Sequence, residues 1–395
     1  MKLTFYGGAG TVTGVNYFLE AQVVDSRVKI MVDCGLQQGG NFAEHKNFEP
    51  FPYNPQEVDF VLITHSHVDH IGLLPKLVKA GFRGRVFSTA ATRDFAELML
   101  LDSEHLLAKE ADRERAPLLY DEQDISHLMK LWEGVDYHAL LDLKGVSAEF
   151  FDAGHILGSA FIKITAEGKT IVFSGDLGNY PAPIIKTTEE IPEANYCVIE
   201  STYGDRVHAN VDKRREELED AIEETVKSGG TLVVPAFAME RTQQLLFELN
   251  ELVEGGRIPK VPVYIDSPLA IHLTEIYKKY RKQFNPAVSA MIKGGDDILD
   301  FPGLHFTLTT EESKSINDVQ PPKVVIAGSG MSHGGRILHH EQRYLPDPHS
   351  MLLIVGYQGK GSLGRQLLDG AKKVRIFGEE VAVRCKIKLI SGYSA

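Results

Sequence analysis

Thr64-His65-Ser66-His67-Val68-Asp69-His70 follows directly on the apolar run Val58-Asp59-Phe60-Val61-Leu62-Ile63. The run is short, rich in β-branched residues and stopped by a polar turn, so it predicts a buried strand. After His70 the segment Ile71-Gly72-Leu73-Leu74-Pro75-Lys76-Leu77-Val78 returns to helical spacing. Three imidazoles and a carboxylate are therefore crowded onto a strand-to-helix turn. Two metal ions could share it. His65 and His67, two apart, reach one ion from the same side, and Asp69 and His70 at the helix start reach a second. Imidazole plus carboxylate suits zinc, with manganese or iron as alternatives. A lone histidine would be ordinary turn chemistry; the pattern His-x-His-x-Asp-His at a strand end points to metal.

A chain of 395 residues predicts two domains, or one with a large insertion. With 43% hydrophobic and 24% charged residues it has the composition of a globular protein with a sizeable core. No apolar run reaches the length of a membrane span, and Met1-Lys2-Leu3-Thr4-Phe5-Tyr6 begins as a strand rather than a signal peptide. Cys34, Cys197 and Cys385 are odd in number and widely spaced, which predicts reduced thiols and a cytoplasmic protein. The net charge of −12 argues against a sequence-blind nucleic-acid binder coated in lysine. A polyanionic substrate would have to be held by metals and local basic groups. Lys213-Arg214-Arg215, Lys278-Lys279-Tyr280-Arg281-Lys282 and Lys372-Lys373-Val374-Arg375 are the basic patches, each read first as a solvated helix face.

The N-terminal third reads as consecutive short strands and hairpins, running from Leu3-Thr4-Phe5-Tyr6 to Arg27-Val28-Lys29-Ile30-Met31-Val32 and ending at Asp33-Cys34-Gly35. Residues 92 to 135 form a charged helical excursion, after which strands return up to Tyr196-Cys197-Val198-Ile199. From about Val207 strands alternate with helices: Thr231–Val234, Val261–Ile265, Lys323–Ala327 and Met351–Val355, against Arg241–Leu252, Leu269–Lys282 and Gly335–Tyr344. That alternation predicts a parallel sheet with helices on its faces.

Three further residues stand at strand ends: Asp33, His155 in Gly154-His155-Ile156-Leu157-Gly158, and Asp176 in Ser174-Gly175-Asp176-Leu177-Gly178. Each alone is compatible with turn chemistry. Together with the opening cluster they supply a third imidazole for the first metal and a carboxylate able to bridge both. Asp33 is read as a group that orients a ligand.

The ordered series Asp33, His65-Ser66-His67-Val68-Asp69-His70, His155 and Asp176 resembles the metallo-β-lactamase superfamily. The continuation Ile199-Glu200-Ser201-Thr202-Tyr203-Gly204-Asp205-Arg206 resembles its branch carrying an inserted β-CASP domain, the RNA-processing nucleases of the polyadenylation-specificity-factor endonuclease type. The resemblance implies an α/β fold: an αββα sandwich over residues 1–206 and a Rossmann-like, parallel-sheet β-CASP domain over 207–395. It implies two zinc ions, one held by His65, His67 and His155, the other by Asp69 and His70, with Asp176 bridging. It also implies that Glu200 supports the general acid, and that Arg241, Ser329, Gly330 and Arg336 contact the phosphodiester.

The sequence departs from the family at Ile390-Ser391-Gly392-Tyr393-Ser394-Ala395, where a histidine and an acidic residue normally follow at once and a second histidine later. This reads as a C-terminally truncated form. Its usual return into the core would be missing, some apolar surface bare, the second zinc site weakened and turnover impaired. Gly328-Ser329-Gly330-Met331-Ser332-His333-Gly334-Gly335-Arg336 and Pro235-Ala236-Phe237-Ala238-Met239-Glu240-Arg241-Thr242-Gln243 are candidate anion cradles. The expected function is zinc-dependent hydrolysis of RNA phosphodiesters, with Asp69, Asp176, Glu200 and Asp33 serving the reaction. The alternatives are a DNA-directed nuclease of the same branch or a hydrolase of a small thioester or lactam-like substrate. RNA is the expected partner, a membrane is not, and a second copy of the chain is a candidate partner.

Overall fold

Short apolar runs separated by turns build two facing sheets from the first half of the chain. The computed structural model describes residues 1–24, 26–38, 45–205 and 213–393. It divides into two compact units, Met1–Asp205 and Arg206–Ala395. The junction expected between residues 206 and 207 lies outside the described residues.

In the first unit, β1 (Lys2–Gly7), β2 (Asn16–Val23), β3 (Ser26–Val32), β4 (Phe60–Leu62), β5 (Arg85–Thr89) and β6 (Trp132–Val135) form one sheet in chain order. The first three strands are antiparallel hairpins, as expected; β3 to β6 run parallel. Strand side chains alternate between faces, and here both faces are apolar. Leu19, Ile30, Val32, Leu62 and Phe87 face the second sheet, while Phe18, Met31, Val61 and Val86 face the helices. This is why the run before the histidines is continuously hydrophobic: β4 is central and covered on both sides. The helical layer is α1 (Val68–Ile71), α2 (Leu74–Lys79), α3 (Ala90–Glu114) and α4 (Glu122–Leu131). The expected helical excursion over 92–135 therefore ends four residues early, in the parallel edge strand β6.

The second sheet of this unit is ordered β11 (Tyr196–Val198), β10 (Lys169–Phe173), β9 (Ala160–Ala166), β8 (Val146–Asp152) and β7 (Leu141–Leu143). Val146, Ala148, Phe150, Ile162, Ile164, Ile171 and Phe173 interleave with the first sheet. At one rim the two sheets are fastened together: the Ala160 amide donates to the Thr64 carbonyl at 2.7 Å. The hydroxyls of Thr89 and Thr92 both donate to the Gly158 carbonyl, at 2.7 and 2.8 Å.

The second unit holds a parallel six-stranded sheet, ordered β14 (Leu304–Phe306), β13 (Val263–Asp266), β15 (Lys323–Ala327), β12 (Thr231–Pro235), β16 (Met351–Ile354) and β19 (Lys386–Leu389). A hairpin, β17 (Lys373–Ile376) and β18 (Glu379–Ala382), stands apart from it. The sheet's helices are α5 (Arg214–Ser228), α6 (Arg241–Glu254), α7 (Pro268–Lys279), α8 (Pro286–Lys293), α9 (Thr310–Ser315), α10 (Ile337–Tyr344) and α11 (Leu363–Leu368). Strands alternating with helices give a parallel sheet, as the sequence predicts; the edge strands β14 and β19 carry too weak an apolar pattern to be read in advance. Two facing sheets with a helical layer, followed by a separate parallel-sheet unit, realise the α/β architecture expected. Among the described residues no helix is long and apolar enough to cross a membrane.

Candidate metal centre

Strands β3, β4, β8 and β10 all end at the fastened rim of the first unit, and each delivers a polar residue just beyond its last apolar one. β4 runs into Thr64 and His65, both buried, and His67 then directly precedes the short helix α1 that carries Asp69 and His70. β8 leads to His155 and β10 to Asp176.

One ligand atom from each of His65, His67, His155 and Asp176 lies within 4.8 Å of every other. His67 Nδ1 is 3.0 Å from His65 Nε2 and 3.2 Å from His155 Nε2. Asp176 Oδ2 is 3.8 Å from both His65 Nε2 and His155 Nε2. Four donors about 2.0–2.1 Å from a tetrahedral zinc sit about 3.4 Å from one another, so the spacing fits a single small cation. Burial lowers the His65 and His67 imidazoles, the latter to about 4, and the neighbouring imidazoles add to this. Both rings are thus neutral at pH 7 and offer lone pairs.

The other oxygen of Asp176 faces a second group. Asp176 Oδ1 is 3.3 Å from His70 Nε2, and Asp69 Oδ2 is 3.9 Å from the same nitrogen. His70 Nε2 is buried and makes no well-formed hydrogen bond, as expected of an atom built to meet a cation. Burial pulls the His70 imidazole down, but Asp176, Asp33 and Asp69 outweigh it and hold it well above its usual range. For Asp176, burial is overcome by His70, His65 and His155, which keep its carboxyl far below the ordinary range.

Asp33 sits behind the cluster, fully buried, with φ +59. Its Oδ1 accepts from the Thr64 amide at 2.8 Å. Oδ2 accepts from the Thr64 hydroxyl at 2.8 Å and lies 2.7 Å from His70 Nδ1. A carboxylate on Nδ1 keeps a proton there, so the proton on Nε2 is the one a cation at Asp69 and Asp176 would displace. Thr64, which the sequence does not single out, is the residue through which Asp33 reaches β4.

Glu200 is placed differently. Its amide donates to Ser174 Oγ at 3.0 Å, beside the strand that carries Asp176, but its carboxylate accepts from the Thr202 amide at 2.9 Å. The structure brings it to the turn, not into the group of converging donors.

The expected substrate contacts belong to the second unit. Arg241 is buried at the start of α6, its guanidinium 5.5 Å over the Tyr393 ring and donating to Gln244. Arg336 is spent on Asp266 Oδ1 at 2.7 Å and on the Thr307 and Leu308 carbonyls at 2.9 and 2.8 Å. Asp266 is fully buried and also receives Thr307 Oγ1, Ser313 Oγ and His340 Nε2, each at 2.7 Å. Arg336 is therefore a tie between strand ends, because a buried carboxylate claims it. Ser329 Oγ accepts from the His333 and Gly334 amides at 3.1 and 3.3 Å, closing its own loop. The Gly330 carbonyl accepts from Gln358 Nε2 at 2.8 Å. Four residues of the basic patches pair with acids: Arg214 with Glu248, Arg215 with Glu251, Lys278 with Glu275 and Asp297, and Lys373 with Glu380.

Comparison with known proteins agrees with this geometry. Residues 23–180 match the model of the metallo-beta-lactamase superfamily domain, and residues 242–367 that of the Beta-Casp domain. The chain is 37% identical to Ribonuclease TTHA0252 of Thermus thermophilus over 394 residues, covering 100% of this chain and 88% of that one. It is 29% identical to an RNase J-like protein of Methanocaldococcus jannaschii over 391 residues, covering 98% and 84%. A crystal structure of a protein of unknown function from Enterococcus faecalis shares the fold, with TM-score 0.54 and 12% identity over 99% of this chain and 88% of that one. With both domains matched in order around the converging imidazoles, this chain belongs to the β-CASP branch of the metallo-β-lactamase superfamily, a family of metal-dependent nucleases.

Proposed function

We propose that the protein is a zinc-dependent nuclease hydrolysing RNA phosphodiester bonds. The observation that carries this reading is Asp176, whose two oxygens face two different sets of donors. Oδ2 faces His65 and His155, and Oδ1 faces His70. His65, His67, His155 and Asp176 would hold the first zinc; Asp69, His70 and Asp176 would hold the second. Zinc, when bound, acts as a Lewis acid and brings the pKa of a coordinated water to about 7. Asp69, whose Oδ2 lies 3.9 Å from His70 Nε2, would accept a proton from an attacking water. Asp33 keeps a proton on His70 Nδ1, so that Nε2 is the atom to meet the cation, and Glu200 steadies the turn after β11.

The donor sets are unequal, three imidazoles and a carboxylate against one imidazole and two carboxylates. Dialysed protein is therefore expected to retain one zinc firmly and lose the other. RNA as substrate is supported by relatives named as ribonuclease and RNase J-like. The test is incubation of end-labelled RNA and DNA with the 395-residue chain, with and without zinc. RNA cleaved to 5′-phosphate and 3′-hydroxyl ends only with metal supports the proposal. Cleavage of a thioester but not RNA, or of DNA alone, overturns it.

A further inference from the structure

In the second unit three loops meet at the carboxyl ends of parallel strands: residues 236–240 after β12, 328–336 after β15 and 356–362 after β16. In the sheet, β12 lies between β15 and β16. The chain leaves β12 toward β13 on one side and crosses to β16 on the other. Such a divergence of connections is where open α/β sheets form their binding crevices.

Phe237 stands in the middle of these loops. A Cβ at Gly330 would lie 2.7–2.9 Å from its ring carbons, and one at Gly356 would lie 3.1 Å from Cε2. Gly330 is therefore needed for the ring to lie where it does, and at Gly356 a side chain would fit only tightly. Gln358 locks the arrangement, its Nε2 donating to the carbonyls of Gly330 at 2.8 Å and Gly356 at 3.3 Å. Held this firmly, the ring is still 38% exposed, and Tyr357 beside it is 61% exposed.

Backbone strain flanks the ring on both sides. Glu240 has φ +62 and ψ −57, and Ser332 has φ +56. Each is pinned by buried groups: the Glu240 carboxylate by the Tyr277 hydroxyl and Gln244, and the Ser332 hydroxyl by Glu341 at 2.5 Å. Strain that survives because its surroundings impose it concentrates at binding sites. The setting also carries the polar Ser329, His333 and Lys360, and beyond the two rings its apolar side chains are the partly buried Ala238 and Met331. Lys360 is exposed and has no acidic partner among the described residues. A protein partner would meet a broader apolar patch; rigid aromatic faces isolated among glycines and next to a free cation match an unpaired base and its phosphate.

We propose that Phe237, flanked by Tyr357, is a stacking face for an unpaired nucleobase of the RNA substrate, with Lys360 against an adjoining phosphate. This site rests on the reading of the protein as an RNA-acting enzyme, but its test is separable from cleavage. Single-stranded RNA carrying one 2-aminopurine is titrated with the full chain in chelator, so that nothing is cut. Stacking quenches the fluorescence. Phe237→Leu keeps the volume and removes the ring, and should abolish the quenching and weaken binding roughly five- to a hundredfold. Tyr357→Ala should weaken binding less, and Tyr357→Phe hardly at all. An abasic site in place of the 2-aminopurine should bind wild type and Phe237→Leu equally.

Equal quenching and affinity in wild type and Phe237→Leu would overturn the proposal, as would failure of wild type to bind the RNA. An equal loss on intact and abasic RNA would also overturn it, because that is general damage to the loops. If zinc-loaded wild type cuts no RNA but Phe237-dependent quenching persists, the nuclease reading falls and the stacking face stands. If it cuts RNA without such quenching, the reverse holds.

Discussion

Asp33→Asn is the most informative single change, because it alters one charge while keeping shape. The left-handed backbone at this position (φ +59) suits asparagine as well as aspartate, so little backbone cost is expected. The carboxylate now serves the Thr64 amide, the Thr64 hydroxyl and His70 Nδ1. An asparagine has one acceptor oxygen, so with that oxygen on the Thr64 amide its NH2 faces the other two. The Thr64 hydroxyl oxygen, 3.1 Å from His65 Nδ1, can accept a hydrogen bond where it now donates to Asp33. His70 can adapt only by accepting at Nδ1, which leaves its remaining proton on Nε2, the atom directed at Asp69 and Asp176. A hydrogen bond to a charged group is worth about 1.5–3 kcal/mol, and loss of such a supporting partner typically costs 10–100-fold in metal affinity. The loss should fall on the site formed by Asp69, His70 and Asp176. The site of His65, His67 and His155 should change by less than about threefold. Competition titrations against a chromophoric zinc chelator, with metal content after dialysis, measure both. Unchanged affinity at both sites would refute the assigned role of Asp33, and equal loss at both would show general collapse.

Other changes probe the remaining claims. His65→Ala or His67→Ala should abolish the firmly held zinc and with it RNA cleavage, read by metal analysis of dialysed protein and a gel assay. Stripping zinc with a chelator should lower the melting temperature of the chain, since four donors are left facing one another across the joined sheets, and re-addition should restore it. Asp266→Asn replaces an oxygen that serves two of the four donors in a buried site and should cost about 3–5 kcal/mol of second-unit stability, seen in denaturant titration, while zinc content stays constant. Burial raises Glu341 from 4.5 to about 7, against the hydrogen bond from Ser332. A folded-state pKa above the unfolded one gives stability that is complete below pH ~4.5 and lost as pH rises through ~7, a loss on the order of 3 kcal/mol. Glu341→Gln should flatten that slope in hydrogen exchange over residues 323–345, and an unchanged slope would assign it elsewhere.

The donors of the first unit were legible because each stands immediately past an apolar strand, and chain order with local spacing is enough to list them. His65 to His70 are neighbours in sequence as well as in space. His155 and Asp176 stand in turns that look ordinary one at a time, and they join the cluster only as the third imidazole and the bridging carboxylate it still lacks. Thr64 escaped notice because a threonine after a strand is unremarkable until its hydroxyl is seen on Asp33. Arg241 and Arg336 are the opposite case. An arginine near a glycine-rich loop looks available, yet which acid or ring it meets is decided by distant residues such as Asp266 and Tyr393. Asp266 ends β13 as Asp33 follows β3, so the same strand-end rule would have found it.

Thr64 commits all its polar atoms at once. The amide and hydroxyl reach Asp33, and the carbonyl takes the Ala160 amide from the opposite sheet. Serine could fill the post with modest loss, but valine, though the same shape, would leave Asp33 Oδ2 with His70 Nδ1 alone. Homologous sequences should therefore alternate between threonine and serine at this position and avoid valine, a pattern of substitution set by hydrogen bonding rather than by size.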